Sequence, residues 1–409
     1  MGCKKNPCDE QPPSIQVINP GVGAVFYFQN TIEIRATITD DTKLESVTCE
    51  ITDAQNRRYL QSNTFAPAGN SFDLNYSISH DDLYLTGGTY FVRITASDGE
   101  NEQIAFREIQ LVAAPRLLER VFTIRTAGNT TAIDTLHGNE FLPCISYEHN
   151  YAYGAIDSRS NQYVACSQNT TELSSGIFPD FEELLVPFPL TDESITAFYH
   201  DKTNHRFYWG TQQGVIWQTD ATGTRVFAAL AADPIRVMES SSSHLVVLSE
   251  GATSNYLNAL RISNGVVETA IPIGWEVKGL VYLPGDSQRM MLIGNQAGAA
   301  YFAWFNLDTS AINEVFNFYE SSPVMSVCGT GANNFYVVHS IGVACYQNLL
   351  DSYTLGTSVV PDKIVYDDLE NTLWGLTEQM LYRFDANAQL VLQSFPTSGL
   401  KDVWIKYNK

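Results

Sequence analysis

A short pattern recurs along the chain from Tyr153 onward. In each copy an apolar run leads into an aspartate, an asparagine or histidine follows four residues later, and a second apolar run comes after it. Aspartate and asparagine tolerate the unusual backbone of tight turns and form hydrogen bonds to it, so each copy predicts two strands joined by a turn. The clearest pairs are Asp157 with Asn161, Asp201 with His205, and Asp367 with Asn371.

The spacing of these copies predicts an all-β fold. Asp157 and Asp201 lie 44 residues apart, and the 166 residues from Asp201 to Asp367 correspond to four periods of roughly 42. This period is typical of the four-stranded blades of a β-propeller. Seven copies predict seven blades, with six as the alternative count. The copies begin near Tyr153, Ile195, Ile235, Val277, Val324, Ile364 and Val403.

The copy near Val403 is too short to form a blade by itself, because only a few residues follow it. The segments "LERVFTIRT", "TTAIDTL" and "FLPCISYE", which precede the first full copy, read as its three missing strands. Such a closure removes free sheet edges. Residues 116–409 therefore resemble the YVTN and WD40-like propellers in architecture, although the Trp-Asp signature of WD40 repeats is absent.

Residues 14–113 have a different pattern, with strict alternation and many β-branched side chains. Seven strand-like segments in about 100 residues predict an Ig-like β-sandwich. The run "GTYFVRI" followed by "SDG" resembles the late hairpin of PKD, cadherin-like and fibronectin-type modules, and this resemblance implies that Tyr90 is a corner tyrosine. The clearest alternation is in "TIEIRATITD", which places on one face Ile32, Ile34, Ala36 and Ile38.

The opening residues, 1–13, read as a tether rather than as folded structure. "Gly-Cys-Lys-Lys" followed by acidic and proline-rich residues resembles the mature start of lipoproteins from Bacteroidetes-type bacteria. This resemblance implies a lipid on Cys3 and an outer-membrane location, at the cell surface or, alternatively, on the periplasmic face. N-myristoylation is not expected, because Asn6 stands where that signal needs serine or threonine.

Charge and motifs exclude several classes of function. The net charge of -21 argues against nucleic acid, whose phosphates need lysine and arginine partners. None of the seven cysteines forms a CxxC pair, and no catalytic or phosphate-binding motif is present. The sequence therefore predicts a non-enzymatic protein with no cofactor and no metal.

Acidic residues recur just before the predicted innermost strand of most blades. In a propeller these positions lie on one face, so we expect a ring of acids around the channel mouth, with Trp275 beside it. Such a ring attracts a basic segment of a partner, or a cation, by electrostatic steering. The binding residues predicted in this way are Asp192, Asp233, Glu276, Glu320, Asp362 and Asp402, together with Trp275.

Two functions remain open from the sequence. The first is a lipid-anchored binding or scaffold protein at the outer membrane, whose propeller presents a face to another envelope protein. The alternative is a glycan-binding or glycan-active propeller, in which exposed Trp275 or Trp304 stacks on sugars. A flat acidic face favours the first function, whereas a deep pocket of acids and aromatic residues favours the second.

Overall fold

A computed structural model describes most of the chain. It covers residues 11–167, 173–179, 182–183, 194–220, 222–231, 233–282, 289–315, 322–330, 334–347 and 352–409. Within these ranges the chain forms strands, turns and loops, and no helix long and apolar enough to cross a membrane is found there. The chain divides into two compact units, one that ends at Arg116 and also takes in Lys409, and one that comprises Leu117–Asn408.

Two sheets form the first unit, in the strand orders β1-β3-β6 and β2-β8-β7-β4-β5. All neighbouring strands in them are antiparallel except β2 and β8. Their strands are β1 (Ser14–Asn19), β2 (Ala24–Phe26), β3 (Thr31–Thr39), β4 (Ser46–Thr52), β5 (Arg58–Phe65), β6 (Ser71–Ser79), β7 (Gly88–Ser97) and β8 (Glu102–Leu111). Seven of these strands match the predicted segments. The short β2, which pairs in parallel with β8, was missed because three residues are too few to show periodicity.

The two sheets of the first unit enclose one apolar core. Alternate residues of β3 are almost completely buried, as the sequence predicted, and they pack against residues of β4, β7 and β8 from the other sheet. Tyr90 is also buried, and its hydroxyl donates a hydrogen bond of 2.8 Å to the carbonyl oxygen of Thr86, four residues earlier. This bond fixes the start of β7 against the preceding loop.

In the second unit, the described strands form seven four-stranded antiparallel sheets. The first three contain β9 (Leu118–Ala127), β10 (Thr130–His137), β11 (Glu140–Tyr147) and β36 (Leu400–Tyr407); β12 (Tyr151–Ile156), β13 (Gln162–Ser167), β14 (Leu173–Ile177) and β15 (Glu182–Glu183); and β16 (Ile195–Asp201), β17 (Arg206–Thr211), β18 (Val215–Asp220) and β19 (Gly223–Ala229).

The other four sheets repeat the same order along the chain. They contain β20 (Ile235–Ser240), β21 (His244–Glu250), β22 (Asn255–Arg261) and β23 (Val267–Ile273); β24 (Glu276–Tyr282), β25 (Arg289–Gln296), β26 (Ala299–Asn306) and β27 (Ala311–Val315); β28 (Val324–Gly329), β29 (Phe335–His339), β30 (Gly342–Gln347) and β31 (Ser352–Leu355); and β32 (Lys363–Asp367), β33 (Thr372–Thr377), β34 (Met380–Phe384) and β35 (Val391–Pro396).

One strand of each sheet lies in a closed ring. The strands β12, β16, β20, β24, β28, β32 and β36 contact one another in this order, and β36 contacts β12. Neighbouring inner strands approach closely at Gly279, where an added Cβ would lie 2.6 Å from the Cβ of Val327. A ring of four-stranded antiparallel sheets around inner strands is the architecture of a β-propeller.

The first sheet of the ring combines strands from distant parts of the sequence. Strand β36 pairs with β9, so that Val403 lies opposite Thr123 and Ile405 opposite Val121. Apolar side chains then fill the space between this sheet and the next, where Phe122, Tyr163 and Trp404 belong to one buried cluster. The pairing expected between the strand near Val403 and the segment that contains Val121 is thus present.

The turns predicted from the repeated pattern are present as well. Asn161, His205 and Asn371 have positive φ angles of 56°, 54° and 52°, a region that asparagine tolerates better than most residues. The aspartates four residues earlier are buried and accept hydrogen bonds from backbone N–H groups of their own turns. Each of these turns follows an inner strand, so the three aspartates lie at the strand ends.

Candidate functional site

A cavity of about 520 Å³ lies where five consecutive inner strands end. It is lined by residues of β16, β20, β24, β28 and β32 and of the turns that follow some of them. We call this the strand-end cavity, and we call the opposite end of the ring, where the inner strands begin, the strand-start side. The volume of the strand-end cavity falls within the range of about 300–1,000 Å³ that is usual for small-molecule sites.

Three tyrosines contribute aromatic surface to the strand-end cavity. Tyr199, Tyr282 and Tyr366 each occupy one of the last three positions of an inner strand, and all three are half-buried. Asn371 Oδ1 accepts a hydrogen bond of 2.8 Å from the Tyr366 hydroxyl, which fixes that side chain. Between them lie hydroxyl groups of serine and threonine, namely those of Thr203, Ser240, Ser241, Ser242 and Thr330.

Glu239 is a carboxylate in the wall of the cavity, and two hydrogen bonds hold its side chain. Its Oε1 accepts a hydrogen bond of 2.6 Å from the Tyr199 hydroxyl and one of 3.2 Å from the backbone N–H of Ser240. Burial raises the pKa of Glu239 to about 7, against the opposing effects of these two bonds and of nearby Lys202. The carboxyl group therefore exchanges its proton near neutral pH.

His200 lies beside this group and belongs to a second cluster. Its Nε2 lies 3.2 Å from Asp157 Oδ1, and Nδ1 of His205 lies 2.9 Å from the same oxygen. Burial by itself would raise the pKa of Asp157, but hydrogen bonds from the two histidines and from Ser160 hold it well below its usual value. Burial lowers the pKa of His200. This cluster joins two neighbouring sheets, because Asp157 follows β12 whereas both histidines belong to the next sheet.

The sequence-predicted acids that the structure describes lie on the strand-start side, and none lines the cavity. Asp402 is buried, where its carboxylate accepts a hydrogen bond from the Tyr151 hydroxyl and lies 2.7 Å from Lys363 Nζ. Glu276 is exposed and lies 2.6 Å from Lys278 Nζ, and this hydrogen bond holds the pKa of Glu276 below its usual value.

The remaining predicted residues lie in different surroundings. Asp233 is half-buried and Asp362 is exposed. Trp275 packs edge-on against Tyr301, with 4.7 Å between ring centroids, and the guanidinium of Arg289 covers Trp304 at 5.1 Å. Neither tryptophan lines the strand-end cavity. Three further predicted residues lie outside the described residues, namely Cys3, Asp192 and Glu320.

Sequence reasoning missed the strand-end cavity. Its residues come from five sheets and are about 40 residues apart along the chain, one blade period. A signal was nevertheless present once the repeats were aligned, because Tyr199, Tyr282 and Tyr366 all fall at the end of an inner strand. That position, rather than the start of the inner strand, carries the recurring aromatic side chain.

No family model matches the chain, and no curated protein matches it. Among solved structures, it is similar to a protein from Lactobacillus plantarum, with a TM-score of 0.55 and 12% identity over 71% of this chain and 99% of that one. It is also similar to a quinonprotein alcohol dehydrogenase-like protein from Bacteroides thetaiotaomicron, with a TM-score of 0.45 and 10% identity over 97% of this chain and 99% of that one.

A third solved structure is the propeller of Dos1, with a TM-score of 0.44 and 14% identity over 61% of this chain and 72% of that one. At these identities the likeness concerns the fold alone. The ring of four-stranded sheets described above makes the chain a β-propeller protein by fold, and the comparisons assign it to no family.

Proposed function

We propose that this chain is a non-enzymatic binding protein whose propeller holds a carbohydrate in the strand-end cavity. The observation that supports this proposal is that three tyrosines, several hydroxyl groups and the hydrogen-bonded carboxylate of Glu239 surround one cavity of about 520 Å³. A few fixed polar groups among aromatic side chains are typical of small-molecule sites. Of the two functions left open by the sequence, an acidic and aromatic pocket favours glycan binding.

The chemistry of the lining argues for a sugar rather than a bare cation or an apolar ligand. Aromatic faces pack against the C–H faces of sugar rings, while hydroxyl and carboxylate groups satisfy the sugar hydroxyls, which otherwise lose their hydrogen bonds to water. Tyrosine provides both an apolar ring and a polar hydroxyl. Lys202 lines the same cavity and disfavours an organic cation there.

The finer architecture is part of the proposal. Seven four-stranded sheets in the described residues support a seven-bladed propeller over residues 116–409, closed by β36. Two packed sheets and the bond from Tyr90 to Thr86 support an Ig-like sandwich over residues 14–113, because corner tyrosines bond in this way to nearby backbone.

We further propose that a lipid on Cys3 anchors the protein to the bacterial outer membrane, with residues 1–13 as its tether. The support for this is the resemblance of the first residues to lipoprotein starts, which implies a location at the cell surface or, alternatively, at the periplasmic face. Replacing Cys3 by serine should release the protein into the soluble fraction. Retention of the Cys3→Ser protein in membranes would contradict the anchor and leave the sugar site unaffected.

A second candidate function is docking of a basic segment of an envelope protein on the strand-start side. The exposure of Glu276 and Asp362 favours it, since exposed carboxylates steer basic partners. The burial of Asp402 and the pairing of Glu276 with Lys278 remove part of the charge that such docking needs.

A carbohydrate microarray followed by calorimetric titration tests the proposed function. We expect at least one glycan to bind, and Tyr282→Ala to weaken it at least about 10-fold through the loss of ring contact. The matched control is Tyr27→Ala, which removes a tyrosine that is 61% exposed in the first unit and should leave binding unchanged. The absence of any glycan binding, or binding that tolerates both Tyr282→Ala and Tyr366→Ala, would refute the proposal.

A further inference from the structure

We infer that Glu239 determines which sugars the strand-end cavity accepts: it receives a hydrogen bond from a ligand hydroxyl, so the cavity takes neutral sugars and rejects uronic acids. This inference rests on the proposed function. It concerns the ligand class and the specificity-determining residue of the same site.

The hydrogen bonds of Glu239 leave one carboxylate oxygen for a ligand. Both of its bonds, from the Tyr199 hydroxyl and from the Ser240 N–H, reach Oε1. Within the described part of the chain, no donor is bonded to Oε2. Because Glu239 lines the cavity and is only half-buried, the second oxygen is the acceptor that remains for a bound molecule.

Tyr199 acts as a positioning residue for this acceptor. Its hydroxyl bonds to Oε1 of Glu239 and lies 3.0 Å from the Ser240 hydroxyl oxygen, so it links the ends of β16 and β20. Its pKa is raised well above the usual value, first by burial and then by the charge of Glu239, so its hydroxyl stays protonated and remains a donor. The carboxyl group is therefore held in one orientation.

The charges around Glu239 oppose an anionic ligand. The neighbouring ionisable groups come from four other inner strands and the turns that follow them. They are Tyr199, His200, Asp201 and Lys202 of β16 and its turn, Tyr282 of β24, Cys328 of β28, and Tyr366 and Asp368 of β32 and its turn. Of the charged side chains that line the cavity in the described residues, two are carboxylates, Glu239 and Asp368, and one is a lysine, Lys202. A ligand carboxylate in the cavity would lie close to these two carboxylates and would be repelled by their like charge.

The protonation state of Glu239 must then control binding. Only the ionised carboxylate is purely an acceptor and forms the stronger, charge-assisted hydrogen bond to a sugar hydroxyl. With a pKa of about 7, Glu239 is about one-tenth ionised at pH 6 and about nine-tenths ionised at pH 8. The affinity for a neutral sugar should therefore rise about 10-fold between these two pH values.

The test compares neutral and acidic oligosaccharides of matched length by calorimetric titration of the full chain at pH 6, 7 and 8. The probes are tetrasaccharides of β-1,4-linked glucose, mannose and N-acetylglucosamine, and tetragalacturonate as the uronic acid. We expect a neutral tetrasaccharide to bind at least about 10-fold more tightly than tetragalacturonate at pH 8, with affinity increasing with pH.

Two variants separate the acceptor from its positioning residue. Glu239→Gln should weaken binding about 10-fold at pH 8 and abolish the pH dependence, because the amide carries no charge. Tyr199→Phe keeps the carboxylate, so it should weaken binding while retaining a pH dependence. Asp362→Asn, on the strand-start side, is the control and should behave as the wild type. Melting temperatures show that each variant is folded.

The outcomes distinguish the inference from the proposed function. Equal or tighter binding of tetragalacturonate, or wild-type affinity that does not change with pH, overturns the inference while sugar binding stands. Binding of neither sugar class overturns both. If Glu239→Gln does not fold, the wild-type pH profile and the Tyr199→Phe variant still decide the inference.

Discussion

The two ends of the ring of inner strands carry carboxylates in very different settings. On the strand-start side, Asp402 is buried but bonded to Tyr151 and Lys363, and Glu276 is exposed but paired with Lys278. At the strand ends, Glu239 is half-buried beside Tyr199, and no salt bridge to it is found in the described residues. Counting acids therefore does not locate a site, because charge that is compensated within the protein is not available to a ligand.

The direction of the pKa shifts expresses the same difference. A hydrogen bond from Lys278 lowers the pKa of Glu276, whereas burial raises that of Glu239 to about 7. At functional sites, burial and specific neighbouring charges commonly shift the pKa of a side chain.

The strongest perturbation removes β36, the strand that contributes to both ends at once. Asp402 lies near its start, and at its end the Tyr407 hydroxyl donates a hydrogen bond of 2.8 Å to Asp367. Deleting residues 400–409 removes Trp404 and exposes the edge of β9 and the apolar side chains that Trp404 packs with, such as Phe122 and Tyr163, so the second unit should lose cooperative unfolding and aggregate. Calorimetry and size-exclusion chromatography measure this, and an unchanged transition would show that ring closure is not needed for stability.

Substitution of individual strand-start acids separates buried from exposed positions. Asp402→Ala should lower the free energy of unfolding by about 2–4 kcal/mol, because the buried Tyr151 hydroxyl loses its acceptor and an ion pair is lost. Asp362→Ala, at an exposed position, should change it by less than about 0.5 kcal/mol. Urea denaturation at pH 7 measures both, and equal effects would mean that burial does not distinguish the two acids.

Glu239 and Glu276 should affect the pH dependence of stability in opposite directions, because the pKa of Glu239 is raised and that of Glu276 is lowered. Since the folded-state pKa of Glu239 is above its unfolded value, the folded protein binds the proton more tightly, and stability falls as pH rises from about 4.5 to about 7. Glu239→Gln removes this loss, so relative to wild type it should gain about 2 kcal/mol between pH 5 and pH 8. Urea denaturation across this range measures the difference, and a difference that does not change with pH would contradict a raised pKa of Glu239 in the folded protein.

The smallest effect is expected from neutralising the exposed strand-start acids together. Changing Asp233, Glu276 and Asp362 to their amides should leave the melting temperature unchanged, because these side chains are at least partly exposed. If this side docks a basic segment, association with a lysine-rich peptide should slow several-fold and weaken steeply with salt. Stopped-flow fluorescence measures the rate, and association that ignores both the changes and the salt excludes this side as the docking site.

The sequence predicted those features that depend on a few neighbouring residues, such as tight turns and the alternation of side chains along a strand. Asn161, His205 and Asn371 were predicted as turn residues and have positive φ angles, because few residue types tolerate that backbone. The alternation through Ile34 likewise predicted the buried face of β3, since the side chains of a strand alternate between its faces.

The candidate site could not be predicted in the same way. Glu239 looks in the sequence like any acid beside a turn, and what distinguishes it is burial by side chains from other sheets. Asp402 shows the reverse, because it was predicted as a mouth residue and is buried against Tyr151 from another sheet. In both cases the environment depends on how the sheets are arranged in space, which no short window of sequence contains.

The pairing of β36 with β9 also has a consequence for the order of events during synthesis. Ile405 lies opposite Val121, 284 residues later in the chain. At a synthesis rate of ~5–20 residues per second, the partner of β9 emerges roughly 15–60 s after β9 itself. During that interval one edge of β9 has no partner and is open to pairing with other chains. Completion of the ring is therefore a late step, and until then the growing chain itself has no strand that protects this edge of β9.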